Sequence, residues 1–373
     1  MDKKIRVGLL FGGRSGEHEV SIASALSVYS ALDKTRFDVT LIAIDKDGRW
    51  LLPDAKKLLA QADSPMKARF QSKDQAFGLV PYPSVQQMVP VDSGSGQIPH
   101  VDVILPILHG TFGEDGTMQG LLELAQIPYV GSGVLGSALG MDKEVSRQLL
   151  THAGINTVPT LRLRKFEFDA DKKACVARVQ KEFALPVFVK PANAGSSVGV
   201  HKVKTAEQLL PALEDAFQFD RKVLVEKAVD ARELEVAILG NDNPKASIVG
   251  EIVPHHEFYS YEAKYLDENG ASLCIPAREV PLPVVEKVRA WGIHAFATLQ
   301  CRGMARVDFF LDRQTNELYL NEINTIPGFT KISMYPKLWE ASGLSYAALL
   351  EELIRLAIED FKERSSVKTT YGS

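Results

Sequence analysis

Apolar and polar positions in the first third of the chain predict alternating strands and helices. An apolar run at residues 5–11 passes through a glycine turn into a helical pattern that ends near residue 32, and a second strand follows at 38–44. A third apolar run ends at His109, with a helix predicted near 117–126. Strand, turn and helix units in this order are typical of a doubly wound parallel sheet. We therefore predict an α/β fold class with such a domain at the N-terminal side.

The pattern changes in the rest of the chain. One amphipathic helix is predicted over 136–154, and from about residue 158 short strands predominate. Residues 222–239 have the pattern of one continuous strand. Further helices are predicted at 171–183, 205–217, 284–299 and 346–361. Because 373 residues are too many for one ordinary domain, the length predicts two or three.

Composition and charge restrict the classes of partner. Apolar residues make up 45% of the chain and charged residues 24%, and the net charge is -4. These values are typical of a soluble globular protein, and no basic run favours nucleic acid. The apolar run near the start is too short for a signal peptide, and no segment has transmembrane length. We expect a cytoplasmic protein without a membrane partner, in which Cys175, Cys274 and Cys301 are reduced thiols.

Residues 306–330 contain the densest candidate chemistry. Two apolar-rich runs flank a polar turn, which predicts an antiparallel hairpin. With the turn near residues 314–315, Asp308 lies across from Glu322, and Asn324 shares their face. Such hard oxygen ligands suit magnesium, which completes its shell with water and phosphate. The alternative is a strand face that carries acids only because it meets solvent.

The segment that follows the hairpin lowers the weight of that alternative. Pro327 and Gly328 predict a tight turn, where a glycine lets a backbone N–H approach a ligand closely. Arg306, two residues before Asp308, adds a permanent cation to the same strand face. The pattern predicts a site for a divalent metal together with an anionic ligand.

Three further positions each have two interpretations. Lys190 precedes the Gly and Ser loop at 193–199, which predicts either a phosphate-binding loop or a plain hairpin turn. His109 ends a strand at the edge where open sheets bind ligands, but a turn histidine can also bond local backbone. Glu17 alone is more typical of an acid that faces a helix dipole.

Several motifs resemble one family when they are taken in order. RVDFFLD, NEINTIPGFT, HGTFGEDG, MDK, VEKAV and FYSYEAKY are similar to motifs of the D-alanine:D-alanine ligases, which belong to the ATP-grasp superfamily. The resemblance implies a three-domain ATP-grasp architecture with domains at 1–135, 136–228 and 229–373. The two later domains would be of α+β type, with ATP between them. The resemblance further implies ATP-dependent ligation of two D-alanine molecules through an acyl phosphate for peptidoglycan precursor synthesis, by a homodimer.

The resemblance also implies roles for individual residues. Contacts to ATP are implied for Lys143, Lys190, Ser196, Ser197, Glu226, Lys227, Glu233 and Lys264. The metal ligands would be Asp308, Glu322 and Asn324, around two Mg²⁺ ions, with Mn²⁺ as an alternative. The substrate-binding residues would be Glu17, His109, Arg306, Gly328, Ser333 and Met334. The catalytic set would be Glu17, Ser196, Tyr265, Arg306 and Gly328.

Three rival functions differ in what they require. A ligase that forms D-alanyl-D-lactate or another D-dipeptide would differ at Tyr265, which lies in the long loop at 255–276 that the resemblance identifies as a lid. An ATP-sensing module would not need the oxyanion site implied at Arg306. A carboxylase-type relative would be expected to carry a biotin-handling region, and the sequence contains none. D-alanine ligation is the function that we expect.

Overall fold

Three separate sheets make up the framework of the molecule. The computed structural model describes residues 3–60, 75–91, 99–255, 270–330, 332–368 and 371. Within them, the sheets are built from strands at 5–108, 160–227 and 231–324. Each sheet falls inside one predicted domain, while the boundaries themselves stay predictions.

The first sheet has the strand order β5-β4-β3-β2-β1-β6. Its strands are β1 (Ile5–Gly12), β2 (Phe37–Ile44), β3 (Trp50–Leu52), β4 (Gln75–Leu79), β5 (Met88–Pro90) and β6 (Val103–Leu108). β1 pairs in parallel with β2 and β6, whereas β3, β4 and β5 extend the sheet by antiparallel pairing. The predicted parallel sheet is therefore confirmed for three strands only.

Helices cover both faces of this sheet, as a doubly wound arrangement requires. They are α1 (His18–Ala31), the short α2 (Ala55–Leu59) and α3 (Thr117–Leu124). On one face Leu9 of β1 shares a buried core with Ile22 of α1. On the other face Leu10 shares a second core with Leu122 of α3. Neighbouring residues of a strand point to opposite faces, so β1 supplies both cores.

The predicted single helix at 136–154 is wrong in one respect, because the structure has two helices there. They are α4 (Val134–Met141) and α5 (Lys143–His152). Asp142 between them has an extended backbone, and its side chain accepts hydrogen bonds from the N–H groups of Glu144 and Val145. An aspartate in this position caps a new helix. Lys143 consequently begins α5.

The second sheet has the order β7-β10-β8-β9 and is antiparallel throughout. Its strands are β7 (Thr160–Arg164), β8 (Val187–Pro191), β9 (His201–Val203) and β10 (Lys222–Lys227), and its helices are α6 (Lys165–Ala170), α7 (Lys172–Glu182) and α8 (Ala206–Phe219). The helix predicted at 171–183 corresponds to α7. These elements enclose a core of their own, which includes Leu163, Val189 and Leu213.

The single strand predicted over 222–239 is also wrong, because the chain leaves one sheet and enters another between Lys227 and Ala231. β10 ends in the second sheet, and β11 (Ala231–Gly240) lies in the third, whose order is β13-β12-β11-β14-β15. The remaining elements are β12 (Lys245–Pro254), β13 (Ala271–Cys274), β14 (Gly303–Asp312), β15 (Leu318–Asn324), α9 (Leu282–Thr298), α10 (Met334–Ala341) and α11 (Tyr346–Ser365).

The first and third sheets share one buried core. Leu26 of α1, Tyr335 of α10 and Leu353 of α11 belong to the same cluster of buried side chains. All three cysteines are unpaired, as predicted. Among the described helices, we find no apolar segment with the length that a bilayer crossing requires.

Candidate active site

One cleft contains the residues that the sequence indicated. It has a volume of about 1170 Å³ and is lined by strands of the second and third sheets, by α1 and by the turn after β6. Every predicted site residue that the structure describes lies on its wall: Glu17, His109, Lys143, Lys190, Ser196, Ser197, Glu226, Lys227, Glu233, Arg306, Asp308, Glu322, Asn324, Gly328, Ser333 and Met334. Lys264 and Tyr265 lie outside the described residues, so their roles stay predictions.

The hairpin predicted to hold metal is formed by β14 and β15. Asp308 lies directly opposite Glu322, and Arg306 lies opposite Asn324. Next to Asp308 the register shifts by one residue, because Asn321 is an extra residue in β15. Without this β-bulge the same turn would bring Asn321 opposite Asp308. The pairing of the two carboxylates was predicted, but the bulge that produces it was not.

Opposite charges surround Arg306. Its Nε and Nη2 each donate to one oxygen of Asp308, both at 2.7 Å, and Nε lies 3.0 Å from Glu235 Oε2. Burial opposes the charge, but Asp308 and Glu235 raise the pKa of Arg306 well above its ordinary value. The sequence analysis missed Glu235, although it lies two residues after Glu233 on the same strand face. No described residue accepts a hydrogen bond from Nη1 of Arg306, so this donor remains for an anionic ligand.

The donor set of the hairpin fits a divalent cation. Asn324 Nδ2 lies 3.1 Å from Asp308 Oδ2, and Lys143 Nζ lies 3.3 Å from Glu322 Oε2, so the acids already converge on cationic or polar groups. Among the described residues there is no cluster of three acidic, histidine or cysteine ligands. Magnesium needs only one or two carboxylates when phosphate completes its shell. The site therefore fits a metal that is held jointly with a phosphate ligand.

The loop at residues 192–200 joins β8 to β9 and is too long to be the tight hairpin turn that the sequence left open. At its stem the backbone N–H and the side-chain amide of Asn193 donate to Asp220 Oδ2, at 2.8 and 2.9 Å. Lys143 Nζ donates to the Ala194 carbonyl at 2.9 Å. Ser196 and Ser197 have φ of 48° and 60°, a region that serine seldom adopts and that recurs at ligand clamps.

Glu17 contacts this loop directly. Ser196 Oγ donates to Glu17 Oε1, which is the contact that the family resemblance implies. A Cβ on Gly195 would lie 2.5 Å from Glu17 Oε2, and one on Gly110 would lie 2.7 Å from it. Real Cβ atoms do not approach other atoms this closely. Glycine at both positions therefore allows the loop and the His109 turn to close around one carboxylate.

Glu114 also lines this part of the cleft, and the sequence analysis missed it. Its Oε2 accepts a hydrogen bond from the Gly110 N–H at 2.7 Å. Burial, together with the nearby charge of Glu17, raises the pKa of Glu114 to about 8. The group therefore keeps its proton at neutral pH. Its place in HGTFGEDG, beside His109, was the available signal.

His109 connects the first sheet to the loop after β15. Its Nδ1 lies 3.1 Å from the Ile326 carbonyl, and its Nε2 lies 3.5 Å from Ser24 Oγ, which accepts from the Phe329 N–H at 3.4 Å. Burial lowers the pKa of His109, so the ring is neutral. The backbone that it meets is distant in sequence, so the alternative of a locally bonded turn histidine is wrong. Both ring nitrogens face protein atoms, which favours a positioning role.

A buried group of charges lies where the nucleotide phosphates are predicted. Lys190 Nζ lies 2.7 Å from Glu226 Oε1, and Arg147 Nη1 lies 2.5 Å from the same oxygen. Burial lowers the pKa of Lys190 to about 8. Burial alone would raise the pKa of Glu226, but Arg147 and Lys190 lower it. Because Arg147 and Lys190 both bind Oε1 of this carboxylate, that oxygen is not available to a nucleotide base. The sequence analysis missed Arg147, which lies one helical turn after Lys143.

Residues 228–230 cross from the second sheet to the third. Lys227 precedes this crossing and Glu233 follows it, and both line the cleft. The Lys227 N–H donates to the Pro159 carbonyl at 3.1 Å, and the Ala228 N–H donates to the Pro186 carbonyl at 3.3 Å. The segment that contains the VEKAV motif therefore leaves the second sheet after Lys227, and two backbone hydrogen bonds hold it at that point.

The loop after β15 forms part of the cleft wall. Ser333 Oγ accepts from the Thr330 N–H at 3.0 Å, and Met334 begins α10 directly after it. A Cβ on Gly328 would lie 2.9 Å from Ser333 Oγ, so glycine allows the turn to close. No described residue accepts a hydrogen bond from the Gly328 N–H. This donor is available to a ligand, as the sequence predicts.

Comparisons with known proteins agree with this arrangement. Residues 6–132 match the family model "D-ala D-ala ligase N-terminus", and residues 149–355 match "D-ala D-ala ligase C-terminus". A D-alanine–D-alanine ligase A of Salmonella typhimurium is 51% identical over 368 residues, which are 98% of this chain and 99% of that protein. The ligase A of Escherichia coli K12 is 50% identical over 369 residues, 99% of this chain and 100% of that protein.

Solved structures show the same fold. The D-alanine-D-alanine ligase of Coxiella burnetii superposes with a TM-score of 0.82 at 35% identity, covering 98% of this chain and 97% of that one. The VanG D-Ala:D-Ser ligase of Enterococcus faecalis has a TM-score of 0.82 at 33% identity, covering 95% and 100%. With family models over most of its length and relatives at half identity, the chain belongs to the D-alanine–D-alanine ligase family.

Proposed function

We propose that this chain joins two D-alanine molecules into D-alanyl-D-alanine, converts ATP to ADP and phosphate, and thereby supplies a peptidoglycan precursor. One observation carries the proposal: the phosphate-side lysines, the carboxylate hairpin and Arg306 meet in a single cleft. An acid can be phosphorylated and attacked there without leaving the protein. The relatives at about 50% identity carry the same name, which supports D-alanine over other second substrates.

The nucleotide would lie between the second and third sheets. The crossing segment at 228–230 would present backbone groups to the base, and Glu233 would face the ribose. Lys143 and Lys190 face the phosphates, and Ser196 and Ser197 cover them. Lys264 belongs to this set through the family resemblance alone. Two lysines near the transferring phosphoryl group offset charge that develops on its oxygens.

Asp308, Glu322 and Asn324 would hold the divalent metal against the phosphates. We infer Mg²⁺ at two positions, with Mn²⁺ as a substitute, because the ligands are hard oxygens. When bound, the metal supplies charge stabilisation and orientation for phosphoryl transfer. Lys143 is ion-paired with Glu322 at the position where the metal would bind.

The first D-alanine would be held at both ends. Glu17 accepts its ammonium group, while Arg306 and the Gly328 N–H bind its carboxylate, which takes the γ-phosphoryl group of ATP. The product of this step is an acyl phosphate and ADP. Glu114, which is neutral at pH 7, adds no second negative charge beside Glu17. His109 positions the turn that carries Gly328.

The second D-alanine would bind at Ser333 and Met334 through its carboxylate. Its amine attacks the acyl carbon, the new C–N bond forms a tetrahedral intermediate, and the C–O bond to phosphate breaks while the amine loses a proton. Arg306 and Gly328 stabilise the oxyanion, as preorganised donors do. Tyr265 of the predicted lid completes the catalytic set with Glu17 and Ser196.

The other sequence-based predictions remain part of the proposal. The domains are 1–135, 136–228 and 229–373, the chain acts as a homodimer, and it works in the cytoplasm. The shared core of the first and third sheets supports a division in which the second sheet is the more independent body.

The test is a product assay with the purified chain, Mg-ATP and D-alanine, with D-lactate or D-serine added in parallel. We expect one ADP per D-alanyl-D-alanine by mass spectrometry and no mixed product. The Arg306→Ala variant should bind ADP but form no dipeptide. ADP release without a dipeptide, or preferential use of D-lactate, would contradict the proposal.

A further inference from the structure

The side chain of Arg147, in α5, bonds directly to both the second and the third sheet. Only 5% of the residue is exposed. Its Nη1 donates to Thr160 Oγ1 at 2.6 Å and to Glu226 Oε1 at 2.5 Å. Its Nη2 donates to the carbonyl oxygen and to Oδ1 of Asn321, both at 3.3 Å. One guanidinium thus connects three strands.

The hydrogen bonds of Arg147 Nη1 affect the position of Lys190, the lysine that we propose faces the phosphates. Glu226 receives both Arg147 and Lys190 on the same oxygen. Arg147 therefore fixes the carboxylate against which the Lys190 ammonium rests. Without Arg147, Glu226 would be a buried acid with only Lys190 as a cationic partner. Its carboxylate, and the Lys190 ammonium that rests against it, would then be held less firmly.

The hydrogen bonds of Arg147 Nη2 affect the position of the proposed metal ligands Asp308 and Glu322. Asn321 is the extra residue of the β15 bulge, and an extra residue has no partner across the ladder. Arg147 is the partner of Asn321 instead, because it donates to the carbonyl oxygen and to Oδ1 of Asn321. The bulge is what brings Glu322 opposite Asp308. Arg147 therefore stabilises the register that pairs the two carboxylates.

Stability alone explains this arrangement poorly. Burying an ion pair costs desolvation energy that its attraction often only balances. The Nε of Arg147 has no hydrogen-bond partner among the residues that the structure describes, which adds to the cost. The geometry is better explained by what the guanidinium positions on either side.

We propose that Arg147 is a positioning residue of the ligase reaction, which aligns Lys190 on the phosphate side with the Asp308 and Glu322 pair on the metal side. The inference rests on the proposed function, since it assigns the metal and phosphate sites to those residues. Loss of Arg147 should uncouple metal from nucleotide while the D-alanine sites stay intact.

The test uses the full chain and the Arg147→Met variant, which keeps the aliphatic stem but removes the charge. ADP binding is measured by calorimetry with and without Mg²⁺, and steady-state kinetics are measured for each substrate. We expect the tightening of ADP binding by Mg²⁺, and kcat, to fall roughly 10- to 100-fold, as for other groups that support metal ligands. KM for D-alanine should not change.

Arg147→Lys is the second variant and decides the question if Arg147→Met does not fold. A lysine keeps a charge beside Glu226 but has no fork to reach Asn321 as well. It should retain metal-free ADP binding and still lose most of the Mg²⁺ effect. The control is Arg232→Met, which removes a partly buried arginine bonded to Glu251 outside the cleft and should leave the Mg²⁺ effect unchanged.

An unchanged Mg²⁺ effect in both Arg147 variants, or an equal loss in Arg232→Met, would overturn the proposal. The ADP measurement does not depend on dipeptide formation. A wild-type chain that binds Mg-ADP but makes no D-alanyl-D-alanine would therefore contradict the proposed function and still allow Arg147 to be judged.

Discussion

Lys190 is a lysine that can lose its charge within the range of ordinary assays. Burial lowers its pKa to about 8, even though Glu226 beside it favours the ammonium form. The charge is therefore present below about pH 8 and lost above it. A neutral lysine attracts phosphate far less strongly than an ammonium group does.

We accordingly predict that kcat/KM for ATP falls as the pH rises through about 8, since this ratio reports groups of the free enzyme. The Lys190→Arg variant keeps its charge to much higher pH. Its activity should be lower, but its alkaline decline should begin later. The same alkaline decline in wild type and variant would assign the titration to another group.

Gly195 allows the loop to pack against Glu17 because it has no Cβ atom. A methyl group there would lie 2.5 Å from Glu17 Oε2, so the loop at residues 192–200 would have to move away. We predict that Gly195→Ala lowers kcat on the order of 100-fold, the size expected for a shift of about 1 Å in a reacting group, with little change in melting temperature.

The control for that prediction is Gly78→Ala. A Cβ at this position lies 3.7 Å from Val91 Cγ2, which is an ordinary contact, and the residue is remote from the cleft. It should retain full activity. Normal turnover by Gly195→Ala would mean that the loop does not need to close on Glu17.

At the scale of single elements, the sequence predicted the hairpin best. Alternating faces and a polar turn predicted the hairpin and the pairing of Asp308 with Glu322, but the pairing also needs the one-residue bulge at Asn321. The bulge at Asn321 could not be predicted, because it depends on Arg147 from a helix that is distant in the chain. Local patterns report local structure, whereas the partner of a bulged carbonyl is set by tertiary packing.

The sequence does contain a signal for the break between α4 and α5, namely Asp142, but the helical pattern of apolar residues continues across it. Asp142 is a strong capping residue, and its carboxylate also accepts from Lys222 of β10 at 2.7 Å. The same aspartate thus begins α5 and ties it to the second sheet. It fixes the residue after it, Lys143, which contacts both Ala194 and Glu322.

We predict that Asp142→Ala lowers the free energy of unfolding by about 1 kcal/mol more than Asp142→Asn does. Asparagine caps a helix nearly as well as aspartate but lacks the charge that pairs with Lys222. Urea denaturation of both variants gives the difference. Equal losses would mean that the cap contributes nothing and that the ion pair accounts for the whole effect.

For the molecule as a whole, the parallel part of the first sheet was predictable, but the grouping of the three sheets was not. The change to short strands near residue 158 indicated where the second sheet begins. The common core of Leu26, Tyr335 and Leu353 joins the beginning of the chain to its end, and no sequence pattern indicates such a contact. The second sheet keeps a separate core. Motifs identified most of the residues that line the cleft. Arg147, Glu114 and Glu235 were missed because their contacts in the site depend on tertiary packing.

This grouping predicts two units of local stability. Strands β1 and β14 should exchange their amide hydrogens through one common opening reaction, while β8 and β10 exchange through a separate one of lower free energy. Native-state hydrogen exchange followed by mass spectrometry at increasing denaturant distinguishes them. Independent opening of β1 and β14 would contradict a shared core.

We propose that the cleft activates one D-alanine as an acyl phosphate and joins it to a second. An isotope experiment tests this reaction: the wild-type protein is given Mg-ATP and D-alanine labelled with ¹⁸O in its carboxylate. Phosphorylation of the carboxylate places one of its oxygens in the bond that later breaks. We expect D-alanyl-D-alanine in equal amount to a phosphate that carries one heavy oxygen. Unlabelled phosphate, or phosphate released without dipeptide, would contradict it.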